Sequence, residues 1–338
     1  MTMQQVNVAL LGFGNVGQSF AEYTYRIGEA NSRKVCIRAI ADSSGGRFFD
    51  DSQSFASALA HKKSGKPLSK FEGGKFITDA RDFIRTLPSA GIPILVETLP
   101  TSLDSGQPAL DLLIDALEQG TSVVTVDKGP LVHGFEALKE AAGKGSAVLG
   151  YSGTTGVDMP DNIADDRVLE IRGVLNGTTN YMLTEMQQRG RSFDDALEAA
   201  QAAGVAEPEP TLDVGGWDTA AKILILAKLL MGAESRLAEV SRIGIGPETE
   251  SLVRIARSTG RAVRLIGRAR FWQGRVRLSV APKLVGEDSP FYSISGTSKA
   301  ALFRTQGKGE VLALGRSGRD AISRTIVDDI AKMSEGLS

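Results

Sequence analysis

A doubly wound α/β fold with a second, α+β domain is predicted from three features of the chain. In the first half, short apolar runs alternate with helical stretches, which is the pattern of right-handed βαβ units around a parallel sheet. A glycine-rich loop joins the first apolar run to the first helix. After about residue 152 the alternation ends, and helices combine with a hairpin of period two. We therefore expect a first domain over 1–152 and a second domain from 153 onward.

The parallel sheet is predicted from apolar runs that are bounded by glycine, proline or charged residues. One helix shows both boundary signals, because Pro108 stands at its first turn and Gly120 follows its end. Strands are predicted at 6–11, 35–41, 93–98, 122–126 and 147–151, and helices at 16–27, 54–61, 80–87, 108–118 and 133–142.

The second domain is predicted to be helical with an antiparallel component. Ser192 to Asp195 fits a capping box, and Gly232 closes a strongly apolar helix. Two alternating stretches flank Gln273-Gly274 and predict a hairpin. Helices are predicted at 178–188, 192–204, 218–231, 247–258 and 325–333, and strands at 168–175, 262–269, 275–281 and from 311.

Composition excludes several functional classes. A net charge of −1 and the absence of an apolar run of about 18 residues predict a cytoplasmic protein that binds neither nucleic acid nor membrane. The single cysteine, Cys36, lies in an apolar run and is interpreted as structural. With only His61 and His133 besides, a metal site built from histidine and cysteine is not expected, and neither is a histidine relay.

The loop from Gly12 to Gly17 has the form Gly-x-Gly-x-x-Gly between a strand and a helix. Glycines there allow a tight turn, close approach to a diphosphate, and helix–sheet packing, so the loop predicts a Rossmann-like dinucleotide site. Asp42 ends the second strand, where a carboxylate accepts from a ribose 2′-hydroxyl and favours NAD. Arg38 and Arg47 nearby leave NADP open, so the cofactor is written as NAD(P).

Asp218 and Lys222 are the residues that carry the predicted chemistry. They lie four positions apart at the start of an apolar helix, so both side chains fall on one face. Asn176-Gly177-Thr178 precedes another helix and presents small hydrogen-bonding groups, although helix capping alone would account for such residues. Glu207 and Asp213 stand on a proline-rich loop that leads to the pair. This set suits recognition of an amino acid that bears a reacting hydroxyl group.

In these segments the chain resembles the homoserine dehydrogenases, in a short form without the family's C-terminal regulatory domain. The segments are Gly12–Gly17, Val123–Leu131, Gly173–Tyr181, Gly204–Lys222 and, more weakly, Gly315–Gly318. The resemblance implies NAD(P)-dependent interconversion of L-homoserine and L-aspartate 4-semialdehyde, a small amino-acid substrate and a homodimer. It also implies that 306–338 returns to the nucleotide-binding domain, which leaves 153–305 for substrate binding and dimerisation.

The resemblance assigns roles to individual residues. Lys222 and Asp218 correspond to the catalytic pair, and Lys128 corresponds to a lysine at the nicotinamide end. The expected substrate-binding residues are Glu207, Asp213, Asn176, Gly177 and Thr178. The expected cofactor-binding residues are Gly12, Phe13, Gly14, Asn15, Val16, Gly17, Asp42, Thr98 and Gly315.

Four positions depart from the family's pattern. Asp127 replaces an asparagine, Ser152 replaces a glutamate that helps to bind a monovalent cation, Asp158 replaces a glycine, and Lys299 lies where Asn-Ala is usual. The cation site is therefore left open. Two other functions also stay open: oxidation of a different small hydroxy acid or amino alcohol, and nucleotide binding without turnover.

Overall fold

The computed structural model describes residues 4–27, 33–160, 163, 166–315 and 318–335. They form two compact units, one built from the described residues up to Thr154 and from Gly318 onward, the other from those between Thr155 and position 317. None of the helices in these ranges is both long enough and apolar enough to span a bilayer.

The first unit contains the predicted parallel sheet, with two antiparallel strands added at one edge. The strand order is β4-β3-β2-β1-β5-β6-β7, and β1 pairs in parallel with both β2 and β5. The winding therefore changes direction between β1 and β5, which is where such sheets bind ligands at their carboxyl edge. The strands are β1 Gln4–Leu11, β2 Arg33–Asp42, β3 Gly45–Phe48, β4 Lys75–Ile77, β5 Ile94–Glu97, β6 Ser122–Thr125 and β7 Leu149–Gly150.

Aspartate side chains cap three helices of the first unit. The Asp127 carboxylate accepts from the Gly129 amide, so the fifth helix begins at Lys128, earlier than the predicted residue 133. Asp51 and Asp79 cap two others in the same way. The helices are α1 Asn15–Ile27, α2 Ser52–Lys63, α3 Ala80–Thr86, α4 Ala109–Glu118 and α5 Lys128–Gly145.

The second unit is a six-stranded sheet in the order β13-β12-β8-β10-β11-β9, antiparallel except between β9 and β11. The predicted hairpin is confirmed and is longer than expected, with Trp272 paired to Arg275 across the turn at Gln273 and Gly274. The strands are β8 Val168–Val174, β9 Ser241–Arg242, β10 Ala262–Trp272, β11 Arg275–Val285, β12 Lys299–Thr305 and β13 Gly309–Gly315.

One helix forms the centre of the second unit's core. It runs from Trp217 to Met231, and residues such as Ile223, Leu224 and Leu226 are fully buried against β8, β10 and β11. At Gly267 on β10 the sheet approaches the helix closely, because an added Cβ would lie 3.0 Å from the Thr219 methyl carbon. The helices are α6 Gly177–Arg189, α7 Phe193–Ala202, α8 Thr211–Val214, α9 Trp217–Met231 and α10 Thr249–Ser258.

The last helix, α11 Arg319–Glu335, belongs to the first unit, where Ile326, Ile330 and Met333 join the core beneath β1. The resemblance implied a return to this unit at 306, whereas the structure places it at Gly318. The reason is that β12 pairs with β8 on one side and with β13 on the other, which keeps both β12 and β13 in the second sheet.

Candidate functional site

Asn176, Asp218 and Lys222 form one hydrogen-bonded cluster in the second unit. The Lys222 ammonium donates to Asp218 Oδ2 over 2.6 Å, and the Asn176 amide donates to the same oxygen over 2.8 Å. The pair on α9 is thus tied to the residue that follows β8 and caps α6. The spacing of four residues predicted that both side chains share one face of a helix, and on α9 they do.

The position of Lys222 is fixed by a main-chain group as well. Its ammonium donates to the Leu175 carbonyl over 2.9 Å, which joins α9 to the end of β8. The side chain of Lys222 is 12% exposed and is therefore largely shielded from solvent. An ammonium has three N–H donors, and within the described residues two of them are used. One donor therefore remains for a ligand oxygen.

Asp213 is the second carboxylate of this cluster. Asn176 donates to its Oδ1 over 2.6 Å, and the helix α8, which the sequence predicted as a loop, carries it. Burial raises the pKa of Asp213, and the nearby Asp218 carboxylate raises it further, against opposing hydrogen bonds from Asn176 and Thr178. The junction to α9 turns at Gly216, whose φ of 77° is a left-handed value that favours glycine.

The other predicted substrate residues differ in how far the structure brings them together. Gly177 and Thr178 are the first two residues of α6, directly beside Asn176, and the Thr178 hydroxyl donates to the Val205 carbonyl over 3.1 Å. Glu207 is exposed, and among the described residues no hydrogen bond joins its carboxylate to the cluster. The Leu175 carbonyl, a group that sequence reasoning did not identify, belongs to the cluster.

In the first unit, the three loop glycines have three different surroundings. A Cβ on Gly12 would lie 2.6 Å from the Thr98 carbonyl carbon, and one on Gly17 would lie 2.3 Å from the Gly12 oxygen. A Cβ on Gly14 would meet nothing within 4 Å. The outer glycines are thus needed for packing, and Gly14 leaves an open cradle at the start of α1. That is the arrangement a diphosphate requires.

The remaining loop residues divide between packing and exposure. Phe13 is fully buried in the core of the unit, so only its backbone is available to a ligand. Asn15 is exposed and Val16 half-buried at the helix start. Thr98 follows β5, and its hydroxyl donates to the Gly12 carbonyl over 2.6 Å, which holds the loop against the sheet.

Asp42 ends β2 and is held by two neighbours. The Ser44 hydroxyl and amide donate to its Oδ1 over 2.6 and 2.8 Å, and the Lys62 ammonium pairs with its Oδ2. Burial by itself would raise the pKa of Asp42, but the bonds from Lys62 and Ser44 outweigh it and lower that pKa. The residue is therefore a carboxylate at neutral pH. Lys62 was not identified from the sequence.

Two buried carboxyl groups lie at the ends of neighbouring strands β5 and β6. Glu97 accepts from the Thr125 hydroxyl over 2.5 Å, and Thr125 also accepts from the Asp127 amide over 3.0 Å. Burial raises the pKa of Glu97 to about 8, with a further contribution from Asp127, against bonds from Thr125 and Leu99. Burial also raises the pKa of Asp127. Lys128 follows directly, half-buried at the first position of α5.

Two predicted positions have local structural explanations. Gly315 ends β13, and a Cβ there would lie 2.0 Å from the Gly156 oxygen, so close packing inside the second unit accounts for this glycine. Residues 316 and 317 of its loop lie outside the described residues. Ser152, at the position where the resemblance led us to expect a glutamate, donates through its hydroxyl and its amide to Asp329 of α11 over 2.6 and 3.0 Å.

Comparison with known proteins identifies close relatives. The family model for homoserine dehydrogenase matches residues 159–331. A homoserine dehydrogenase from Methanocaldococcus jannaschii is 33% identical, with 96% of this chain and 97% of that protein covered. An NAD(+)-dependent homoserine dehydrogenase from Pseudomonas canavaninivorans is 32% identical, with 99% and 98% covered. The crystal structure of a putative homoserine dehydrogenase from Archaeoglobus fulgidus superposes with a TM-score of 0.82 at 28% identity, covering 97% and 98%.

Glu97→Gln is expected to change how stability depends on pH. Because the folded-state pKa of about 8 lies above the ordinary value of 4.5, the folded state holds this proton more tightly than the unfolded state does. The free energy of unfolding of the parent should therefore fall as pH rises from about 5 to about 8. Glu97 should account for roughly 3–5 kcal/mol of this fall, and its contribution should stay constant at pH values above about 8. Urea denaturation at a series of pH values measures it.

Glutamine at position 97 should abolish that fall, since it mimics the neutral carboxyl. Glu72→Gln is the matched control, because Glu72 is exposed, and it should retain the parent's pH dependence. Equal slopes for Glu97→Gln and the parent between pH 5 and 8 would show that Glu97 is ionised in the folded protein.

Proposed function

The chain belongs to the homoserine dehydrogenase family, and we propose that it interconverts L-homoserine and L-aspartate 4-semialdehyde with NAD(P), using Lys222 as the proton carrier. The family makes it an oxidoreductase that acts on a CH–OH group. The observation that carries the proposal is an N–H of Lys222 for which the described part of the chain provides no acceptor, on an ammonium held in place by Asp218 and the Leu175 carbonyl.

In the direction of reduction, the Lys222 ammonium donates its remaining proton to the aldehyde oxygen as the new C–H bond forms. In the direction of oxidation, neutral Lys222 accepts the proton of the homoserine hydroxyl. Asp218 keeps the amine in position in both states because it holds one N–H over 2.6 Å. The nicotinamide, when bound, supplies or accepts the hydride.

Recognition of the amino-acid part of the substrate is assigned to groups around Asn176. The amides of Gly177 and Thr178 lie at the start of α6, where a helix itself provides no acceptor, and they suit the substrate carboxylate. Asp213 and Glu207 suit the substrate ammonium group, Asp213 being fixed by Asn176 and Glu207 standing on the exposed loop. Asn176 thereby orients groups for both ends of the substrate.

The cofactor residues are assigned to the first unit. We expect the diphosphate over Gly14 at the start of α1, the adenosine ribose at Asp42, and the nicotinamide end near Lys128. The open space at Gly14 and the ionised Asp42 support this assignment. The NAD(+)-dependent relative is compatible with the preference for NAD that Asp42 indicates.

L-Homoserine oxidation, followed by the absorbance of the reduced nicotinamide, tests the function. We expect turnover by the parent and a loss of about 10²–10⁴-fold in kcat for Lys222→Ala, with little change in KM. Lys228→Ala, further along the same helix, is the control and should retain kcat. A kcat for Lys222→Ala within about twofold of the parent would remove Lys222 as proton carrier. Turnover of another hydroxy acid or amino alcohol in preference to homoserine would identify a different substrate.

Cofactor choice is expected to depend on Asp42 and Lys62 together. Asp42→Ala removes the acceptor for the 2′-hydroxyl and releases the Lys62 ammonium for a 2′-phosphate. We expect the ratio of kcat/KM for NAD to that for NADP to fall about tenfold or more. Asp42→Ala combined with Lys62→Ala should lose NAD efficiency without gaining NADP efficiency. An unchanged ratio in the single variant would place cofactor choice elsewhere.

A homodimer is part of the same proposal. The strand β13, at one edge of the second unit's sheet, exposes Leu312 and Leu314 at 44% and 58%. Exposed leucines on an edge strand are a surface that a second copy can cover. Light scattering should give a molar mass of twice that of the chain. The double variant Leu312→Lys, Leu314→Lys should have the mass of a single chain. A monomeric parent protein would contradict the proposal.

A further inference from the structure

A cleft of about 250 Å³ lies in the second unit, and none of the cluster residues around Lys222 line it. It is formed by the last turns of α6, the start of β10 and the loop that follows β11. Its lining includes Thr184, Gln188, Arg264, Tyr292, Ser293 and Ser295. The first and last of these elements are joined by the Gly296 amide, which donates to the Thr184 hydroxyl over 3.0 Å.

Arg264 contributes a buried positive charge to this cleft. It is 4% exposed, and its guanidinium donates to the carbonyls of Phe291, Val263 and Tyr292 over 3.1, 2.8 and 2.8 Å. Carbonyl oxygens satisfy three of the five N–H donors but carry no net charge. Among the ion pairs of the described residues, none includes Arg264. Burial accordingly lowers the pKa of Arg264 to about 10.

The rest of the lining adds hydrogen-bond donors but no acid. Gln188 and Ser293 are exposed at its rim and Ser295 is half-buried, and no aspartate or glutamate is among the lining residues. Lys283 is paired directly across from Arg264 in the β10–β11 register, so both side chains lie on one face of the sheet. The nearest acid along α6, Glu185, is already paired with Arg189 and Arg191.

We propose that this cleft binds a small organic carboxylate that lacks a positively charged group, with Arg264 as the residue that pairs with it. A guanidinium with unused N–H donors recognises a carboxylate, and the hydroxyls of Ser293 and Ser295 suit its polar remainder. An ammonium group would find no counter-charge in the lining, so an amino acid is excluded as the ligand. At about 30 Å³ per water molecule, the volume suits a ligand of roughly eight non-hydrogen atoms.

The test uses succinate as the probe, measured by isothermal titration calorimetry at constant ionic strength. We expect succinate to bind the parent protein, and β-alanine, which has the same carboxylate with an ammonium, to bind at least about tenfold more weakly. Ser295→Trp fills the cleft without altering the Arg264 bonds and should abolish succinate binding. Ser251→Trp, at an exposed serine of α10, is the matched control and should retain it.

A further variant and a second probe distinguish a carboxylate from other anions as the ligand. Arg264→Lys keeps the charge but loses the planar fork, and it should weaken succinate binding about tenfold. If that variant fails to fold, Ser295→Trp alone decides the outcome. If the parent protein binds inorganic phosphate but not succinate, the ligand of the cleft is an inorganic anion, and the proposal is overturned. Succinate binding that survives in Ser295→Trp, or that is absent from the parent, would overturn it as well.

Discussion

The Asn176 amide is the interaction on which the geometry of the second unit's site depends. Its nitrogen donates to two carboxylates, Asp213 and Asp218, and its oxygen accepts from the Thr179 amide over 2.8 Å. One side chain therefore caps α6, fixes α8 and fixes the face of α9 that carries Asp218 and Lys222. Two carboxylates held this close repel each other, and the amide together with Lys222 is what offsets that repulsion. Removing the amide would leave both acids without a shared donor.

Two strand ends of the first unit hold their acidic residues in opposite charge states. Glu97 is buried at the carboxyl end of β5 and keeps its proton near neutral pH, so the edge beside Lys128 carries less negative charge than its residue types imply. Asp42, at the end of β2, is stabilised as a carboxylate by Lys62 and Ser44. A neutral acid at one strand end and an ionised acid at another follow from different partners, since both residues are largely buried.

Hydrophobic periodicity predicted the helices and strands that bury a whole face. It missed the strands whose formation depends on backbone pairing with distant parts of the chain. The runs 6–11 and 218–231 were found because apolar side chains repeat at the period of a buried strand or helix. The strands β3 and β4 were missed, since Gly45-Gly46 resembles a loop and β4 has three residues. β12 was missed as a strand because it was interpreted only by its resemblance to a family segment. Its pairing with β8 and β13 is a long-range contact.

The candidate site was predictable where a side chain carries the chemistry. Asn176, Asp218 and Lys222 were identified from residue type and spacing, and the structure joins them. The Leu175 carbonyl was not identified from the sequence. Every residue has a carbonyl, and only the folded structure shows which one accepts from Lys222. Glu97 and Lys62 were missed for a related reason: a single acid after an apolar strand, or a lysine in a charged helix, resembles surface charge until its burial or its partner is known.

Charge balance distinguishes the Lys222 cluster from the Arg264 cleft. The cluster holds one ammonium and two carboxyl groups, so it offers complementary groups to a molecule that carries both a positive and a negative charge. The cleft holds a buried guanidinium and no acid among its lining residues, so it complements a negative charge alone. A zwitterion placed in the cleft would have its ammonium desolvated beside Arg264 without a partner, which is costly. The same unit therefore has the means to discriminate an amino acid from a carboxylate of similar size at two separate positions.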